Sequence, residues 1–362
     1  MVYPFLPVLA RALGVDLATM SLALSARSAS GALGPLLAPL TDRHGRRFGL
    51  SLGLGLFAAG ALLAFAGLGF AAFAGALVLM TVGKYVIDPA VLAHLSDIVP
   101  YERRGSALAL TELSWSLAFF AGVPAAGFLI GRFGWRSPFL VLALLGSAGL
   151  VSVRAVFGGG ARTAAAAGHR ESYLAVLRSP AALAGIAVIL GVSMSNELVN
   201  LVFGVWLEDS FGLKIAALGA AAAIVGAAEF GGESLVVATV DRLGKIRALM
   251  IGLAGSGVAA LVLPLAGRSR LTAFAGLALF YLAFEYTVVS MLPVMSEILP
   301  QARATLLAFY AASFSLGRAA GSLLSPVLYG LGFTAVAVAA AALDAVAFLF
   351  LLRLRRLTGA QH

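Results

Sequence analysis

The sequence predicts an all-α membrane protein in which two pseudo-symmetric six-helix bundles surround a central cavity. The first observation is composition, because 61% of the 362 residues are hydrophobic and only 11% are charged. Soluble globular chains are roughly 45–50% apolar and about 25% charged, so this chain carries more apolar surface than a soluble fold of its length can bury. The second observation is an internal repeat. The charged hexad at 42–47 (DRHGRR) recurs at 241–245 (DRLGK), 199 residues further on.

The helices of the bundles are predicted from apolar stretches of about 20 residues, the length needed to cross roughly 30 Å of hydrocarbon. Eleven such spans are placed near 17–40, 48–70, 72–98, 104–131, 136–156, 180–207, 214–238, 247–267, 271–298, 303–330 and 332–352. Residues 1–15 form a shorter apolar segment that cannot cross alone at about 1.5 Å per residue. We expect a first helix whose beginning is missing from this chain. A re-entrant segment and an interfacial anchor are the alternatives.

The charge distribution predicts the orientation in the membrane. A net charge of +9 would suggest a nucleic-acid partner for a soluble protein. Here the basic residues cluster in short loops, so we interpret them as topology determinants and expect no nucleic-acid partner. If the hexad faces the cytoplasm, sixteen Lys and Arg residues lie on that side and five on the other, as the positive-inside rule requires. The carboxy terminus is then cytoplasmic, in a multi-pass protein of the inner or plasma membrane.

The repeat divides the chain into two halves. We place the first bundle at 1–157 and the second at 180–362. The segment 158–179 between them contains a run of three glycines and a short amphipathic stretch, which predicts a flexible cytoplasmic linker with one surface helical turn. Two further matches support the duplication: 96–100 (SDIVP) with 296–300 (SEILP), and 114–117 (SWSL) with 313–316 (SFSL).

The hexad, between two apolar spans, resembles the signature loop of the major facilitator superfamily, and the resemblance covers essentially the whole chain. It implies two parallel halves, with a substrate site near the bilayer midplane between them. Two further stretches refine it. Gly122, Pro124 and Gly127 lie in a segment similar to the Gly/Pro pattern of proton-coupled antiporters. Residues 84–131 resemble bacterial drug or metabolite exporters of the arabinose-efflux type.

The two charged loops are predicted to act as latches. The latch residues are Asp42, Arg43, Gly45, Arg46, Arg47 and Asp97 in the first copy, and Asp241, Arg242 and Glu297 in the second. The basic residues of each copy can pair with the acidic residue at the end of a neighbouring helix. Such pairs would hold one face closed in one state and break in the other. The alternative is a loop whose charge only sets the topology.

Ionisable side chains inside the predicted spans indicate function, because a charge at the bilayer centre costs about 2.5–3.5 kcal/mol even on the lenient insertion scale. The candidate proton and substrate residues are Arg27, Lys84, Asp88, Glu112, Glu197, Glu229, Glu285 and Arg318, with Trp115 as an aromatic surface for a substrate. Glu197 and Glu285 are the preferred proton sites because they lie deep on helices that, by the family's arrangement, surround the cavity. Asp344, on the last span, has no predicted role.

Structural roles are the alternative for several of these residues. Lys84 and Asp88 are four apart and can satisfy each other on one helix face. Glu229 can pair with Arg318 and tie two helices together. Two small-residue motifs, 127–131 and 317–321, place glycines one turn apart and predict close helix packing.

Taken together, the sequence predicts a secondary active transporter that exports small, amphipathic molecules by alternating access, coupled to protons. A lipid or lysolipid transporter of the same fold and a non-transporting membrane sensor or scaffold are the alternatives. An enzyme is not expected, because the sequence has no HExxH and no cysteine. We expect no cofactor and no metal. The expected partners are the lipid bilayer, a small-molecule substrate and protons, and the expected state is a monomer.

Overall fold

The computed structural model describes residues 2–34, 36–37, 45–98, 118–156 and 169–359. Within these ranges the chain forms thirteen α-helices. They are α1 (Leu6–Leu13), α2 (Leu17–Ser30), α3 (Arg46–Ala66), α4 (Phe70–Ile98), α5 (Val123–Phe133), α6 (Ser137–Val156), α7 (His169–Arg178), α8 (Pro180–Phe211), α9 (Ile215–Leu243), α10 (Lys245–Ala266), α11 (Arg270–Ile298), α12 (Arg303–Gly330) and α13 (Phe333–Gly359).

The helices occupy the predicted membrane spans. In the described part of the chain, eight are long and apolar enough to cross a membrane, namely α3, α4, α6, α8, α9, α10, α11 and α13. In the span predicted near 17–40, α2 ends at Ser30, a 3-10 turn follows at Gly31–Leu33, and residues 34, 36 and 37 are helical again. Ser30 donates to the carbonyl of Arg27 at 2.6 Å, directly before this change of helix type. The span near 104–131 is described only from residue 118.

The internal repeat is visible in the backbone. Gly45 precedes α3 with a φ of 90°, and Gly244 precedes α10 with a φ of 81°. Both values lie in the region that glycine adopts without the steric penalty of a Cβ atom. The two glycines occupy equivalent positions of the duplicated loop, so the repeated glycine serves the same sharp entry into a helix in each half.

Each half packs around its own helices. In the first half, α3 packs along α4 and α6, and α2 contacts α4. In the second half, α8 packs against α12 and α13, while α10 packs against α11 and α13. This arrangement, with the fold relationships described below, confirms the predicted two-bundle architecture. The domain limits at residues 157 and 180 stay a prediction.

The predicted linker carries one helix. In α7, Val176 is fully buried, whereas Leu174 and Leu177 remain largely exposed. The helix contacts α8 and α12, so it lies against the end of the second half. Residues 157–168 of the linker fall outside the described residues.

The amino-terminal segment is wedged between the two halves. Phe5 and Leu6 are completely buried, in a cluster with side chains of α8 and α9. The chain approaches α8 closely, because a methyl group at Gly204 would lie 2.8 Å from the carbonyl oxygen of Pro4. The segment therefore belongs to the interior of the helix assembly, which does not fit an anchor lying at the membrane interface.

Candidate functional site

A buried carboxylate, Glu197 of α8, lies where the two halves meet. Its side chain has no exposed surface. Tyr3 donates to Oε1 at 2.8 Å and Ser322 donates to the same oxygen at 2.7 Å. Arg318 forms an ion pair with Oε2 at 2.9 Å. The carboxylate therefore joins the amino-terminal segment of the first half to α12 of the second half.

A second layer extends the network to α11. Asn200 donates to Oε2 of Glu197 at 3.3 Å. Its own carbonyl oxygen accepts from the hydroxyl of Tyr281 at 2.7 Å. Both Asn200 and Tyr281 are buried. The network thus links three helices of the second half around one charge.

Two guanidinium groups surround the phenol ring of Tyr3. Arg318 donates to its hydroxyl at 2.9 Å, and Arg27 of α2 donates to the same oxygen at 3.3 Å. The Cζ atoms of the two arginines lie 5.4 Å and 5.6 Å from the ring centroid, within cation–π range. The hydroxyl group of Tyr3 therefore lies between two cations and the carboxylate of Glu197.

Helix periodicity explains how these groups converge. Glu197 and Asn200 are three residues apart on α8, and Arg318 and Ser322 are four apart on α12, so each pair shares a helix face. The helices also approach closely, since a methyl group at Gly321 would lie 2.8 Å from the carbonyl oxygen of Met194. The small residues predicted to promote packing at 317–321 thus bring Arg318 within reach of Glu197.

The first half contributes another polar contact between the halves. Tyr85 of α4 and Ser315 of α12 share a hydrogen bond of 2.9 Å. Next to it, Lys84 and Asp88 form the ion pair that their spacing allows, and both side chains are nearly half exposed. The two residues thus pair on one helix face, as their spacing allows, and a substrate role for them stays a prediction.

The remaining predicted acids are placed less centrally. Glu229 of α9 and Glu285 of α11 are both half-buried. Glu285 lies where α9 and α11 meet, since a methyl group at Gly232 would be 3.1 Å from its Cβ atom. Among the described residues, the carboxylate in ion-pair contact with Arg318 is Glu197. Glu229 lies farther away, within electrostatic reach of the same guanidinium group.

Part of the predicted site lies outside the described residues. This holds for Asp42, Arg43, Glu112, Trp115 and the side chain of Asp97. Within the described part of the first latch, Arg47 donates to the carbonyl of Arg154 at 3.2 Å and joins α3 to α6.

In the second copy, the acidic residue pairs with a basic residue of the repeated loop, and its role as a latch stays a prediction. Glu297 at the end of α11 pairs with Lys245 at the start of α10, rather than with Arg242 in any described contact. Nearby, Arg303 donates to the carbonyl of Ser296 at 2.8 Å. All of these residues belong to the second half, so the described contacts fasten neighbouring helices of one bundle.

The opposite end of the molecule carries an ion pair that does cross between the halves. Arg11 of α1 and Glu208 of α8 are 2.7 Å apart, beside a pocket of about 420 Å³ whose lining includes Lys214. We call this the Arg11 end, and the opposite one the Lys245 end.

The antiporter-like motif also lies at the Arg11 end. A π-helical turn at Ala118–Gly122 precedes α5, and Pro124 lies in the first turn of that helix, where its missing N–H leaves the regular helix interrupted. A methyl group at Gly127 would lie 3.0 Å from the ring of Phe5 and 3.6 Å from the carbonyl oxygen of Ile215. The motif thus forms part of the contact between α5 and α9 of the other half.

Sequence reasoning found Arg27, Glu197 and Arg318 but missed several of their partners. Tyr3, Asn200 and Ser322 are uncharged, so they give no signal on a scale that penalises buried charge. Asn200 could have been predicted, because its amide lies three residues after the buried acid Glu197 on the same helix.

Two bundles of membrane helices joined through a buried charge network define a membrane transporter. The chain belongs to the Major Facilitator Superfamily, whose sequence profile matches residues 1–284 and 182–361.

Relatives and solved structures agree with this assignment. The MFS-type transporter YwfA of Bacillus subtilis (strain 168) is 30% identical over 363 residues, covering 95% of this chain and 85% of YwfA. Multidrug resistance protein 2 of the same strain is 28% identical over 158 residues, covering 43% of this chain and 39% of that protein. The crystal structure of a D-xylose-proton symporter superposes with a TM-score of 0.79 at 17% identity, covering 97% of this chain and 91% of the symporter. At that identity, the superposition establishes the fold.

Proposed function

We propose that this transporter exports small amphipathic molecules in exchange for protons, and that Glu197 is the coupling carboxylate. The observation that carries the proposal is the position of Glu197, which is completely buried and bound by groups from both halves. A change in its charge therefore acts directly on the contact between the halves.

The physical step is a competition for Arg318. Ionised Glu197 holds the guanidinium group at 2.9 Å, and protonation removes the charge that makes this hydrogen bond strong. The freed Arg318, which also contacts Tyr3 at 2.9 Å, becomes available to a polar group of the substrate. Binding of substrate and binding of a proton are thereby linked through one side chain.

The surroundings support an amphipathic substrate. Polar groups at the centre are bordered by aromatic rings, since Phe203 packs edge-on against Tyr281 with their centroids 6.2 Å apart, and Phe314 lies 5.9 Å from the Cζ atom of Arg318. A binding site with apolar walls and few polar anchors suits a molecule with one charged or polar end. The name of Multidrug resistance protein 2, a partial relative, is in keeping with export.

The orientation follows from the positive-inside rule. The Lys245 end, with Lys245, Arg247 and Arg303, faces the cytoplasm in this proposal, and so does the carboxy terminus in the inner or plasma membrane. The Arg11 end then faces outward, and export requires it to open. The expected working unit stays a monomer.

The test is transport in proteoliposomes with an imposed pH gradient and a panel of amphipathic cations, sugars and lysolipids. We expect Glu197→Gln to abolish gradient-driven flux of the accepted substrate while substrate exchange without a gradient persists. Glu285→Gln, in the second predicted proton site, is measured alongside. Asp209→Asn is the matched control, because Asp209 lies on the same helix, is exposed and pairs only at the surface with Tyr329 among the described residues.

The amount of each variant in the membrane is measured in the same preparations. Full gradient-driven flux in Glu197→Gln and in Glu285→Gln would overturn the proton assignment. Transport restricted to lysolipids would favour the alternative of a lipid transporter.

A further inference from the structure

Arg27 of α2 is a membrane-embedded cation that has no acidic partner among the described residues. Its contacts there are a long hydrogen bond to the hydroxyl of Tyr3, at 3.3 Å, and the face of the same ring, whose centroid is 5.6 Å from its Cζ atom. The other N–H groups of its guanidinium have no acceptor in the described chain. Arg27 is half-buried rather than enclosed, so it retains accessible surface.

The helices around α2 do not supply the missing acid. This helix packs mainly against α4 and α12. The sequence of α12 contains no Asp or Glu, and its Arg318 is held by Glu197. On α4, Asp88 is paired with Lys84, and Asp97 lies at the end of the helix.

A guanidinium group cannot escape an apolar environment by becoming neutral. A buried carboxyl group is neutralised when it binds a proton, but an arginine keeps its charge in proteins. A charge at membrane depth is costly unless it is paired or lines a water-filled cavity. The further acid in electrostatic reach of this network, Glu229, acts on Arg318. An anion from outside the described chain therefore suits the free side of Arg27.

The two arginines of the network converge from opposite halves of the molecule. Arg27 and Arg318 both donate to the hydroxyl oxygen of Tyr3, at 3.3 Å and 2.9 Å, so their donor nitrogen atoms lie at most about 6 Å apart. The oxygens of one sulfonate, phosphate or carboxylate group can contact both guanidinium groups, since charge-assisted hydrogen bonds add about 2.8 Å at each end. We propose that Arg27, assisted by Arg318, binds the anionic end of the substrate, and that the transported molecules are amphipathic anions.

This inference deepens the proposed function and rests on it, because it names the charge of the exported amphipathic molecules. It is separate from the coupling role of Glu197. Arg318 uses its Nη2 atom for both Glu197 and Tyr3, and its Nη1 atom has no acceptor among the described residues. The anion therefore binds without displacing Glu197. The apolar part of the substrate lies toward Phe314, whose ring centroid is 5.9 Å from the Cζ atom of Arg318.

The test is binding to the purified full-length protein at fixed pH, without a proton gradient. The probes are three phenylbutyl compounds that differ only in the head group, which is a sulfonate, a trimethylammonium group or an alcohol. We expect the sulfonate to bind most tightly. Arg27→Gln weakens sulfonate binding by roughly tenfold or more and leaves binding of the alcohol largely unchanged.

Two further variants make this result specific. Arg27→Lys restores part of the affinity for the sulfonate, because lysine keeps the charge but lacks the planar fork of donors. Arg136→Gln is the matched control, because Arg136 is an exposed arginine of the first half that donates to the carbonyl of Gly67. It binds the sulfonate as the natural chain does. If Arg27→Gln fails to fold, Arg27→Lys and the comparison of the three head groups still decide.

Three outcomes would overturn the proposal. The trimethylammonium compound could bind as tightly as the sulfonate, the sulfonate could fail to bind at millimolar concentration, or Arg27→Gln could bind it as well as Arg136→Gln does. Tighter binding of a lysophosphatidate, weakened by the same variant, would support the site and identify a lipid as the source of the anion. We expect Glu197→Gln to retain sulfonate binding, so the anion site and the proton coupling are tested separately.

Discussion

The phenolic hydroxyl of Tyr3 touches both signs of charge in the central network. It donates to Glu197 at 2.8 Å and accepts from Arg318 at 2.9 Å. We expect Tyr3→Phe to lower the free energy of unfolding by about 1–3 kcal/mol, because a buried charged partner loses a hydrogen bond. Gradient-driven flux falls with it.

Thermal unfolding in detergent and flux in proteoliposomes check this prediction. The matched control is Tyr329→Phe, because Tyr329 also donates to a carboxylate, that of Asp209 at 2.7 Å, but at an exposed position. Equal losses of stability in the two variants would mean that burial does not amplify the bond of Tyr3.

At the level of residues, the sequence predicted the charged members of the site, because a charge is costly to bury and therefore stands out in an apolar segment. Glu197 and Arg318 stand out inside apolar segments, and the structure brings them together. Their uncharged partners do not stand out, because Ser, Asn and Tyr are tolerated in apolar helices for packing and backbone bonding alike. The sequence did not distinguish Lys245 from Arg242 as the partner of Glu297, since both are basic residues of the same repeated loop.

At the scale of elements, the contact of α8 with α12 positions the site, and two glycine motifs of the same form behave differently. A methyl group at Gly317 would lie 2.4 Å from the carbonyl oxygen of Leu190, whereas one at Gly131 would meet nothing within 4 Å. We expect Gly317→Ala to destabilise the protein by about 1–3 kcal/mol, because the two helix backbones must separate. Gly131→Ala, the control, is neutral or slightly stabilising in a helix.

Thermal unfolding distinguishes these two variants. If both behave alike, the close contact of α8 and α12 does not determine stability.

The spacing of glycines predicted both motifs equally, since a sequence pattern contains no information on which face meets a neighbour. Helix positions were predictable throughout the described chain because they depend on local hydrophobicity. The 3-10 turn at Gly31–Leu33 was not, because hydrophobicity does not distinguish one helix type from another.

At the scale of the whole molecule, the described contacts between the halves lie in the centre and toward the Arg11 end. Ser25 of α2 donates to the carbonyl of Ala319 on α12 at 2.9 Å, and α5 packs against α9. Transport by alternating access requires these surfaces to separate as the two bundles rock around the central site. The repeat in the sequence predicted the two bundles. It could not predict which end of the molecule is closed, because that depends on how the two bundles pack against each other.

Chemical cross-linking tests this movement, and the natural chain has no cysteine to interfere. The pair Arg11→Cys and Glu208→Cys, joined by a short bismaleimide, connects α1 to α8 across the halves. We expect cross-linking to stop flux, because the Arg11 end can no longer open. The matched control is Lys245→Cys with Glu297→Cys, which replaces an ion pair within the second half. Cross-linking there leaves flux largely intact, because α10 and α11 move as one body. If fully cross-linked protein of the first pair still transports, the Arg11 end stays closed during transport. If cross-linking of the second pair stops flux, α10 and α11 move relative to each other, and Glu297 acts as a latch between them.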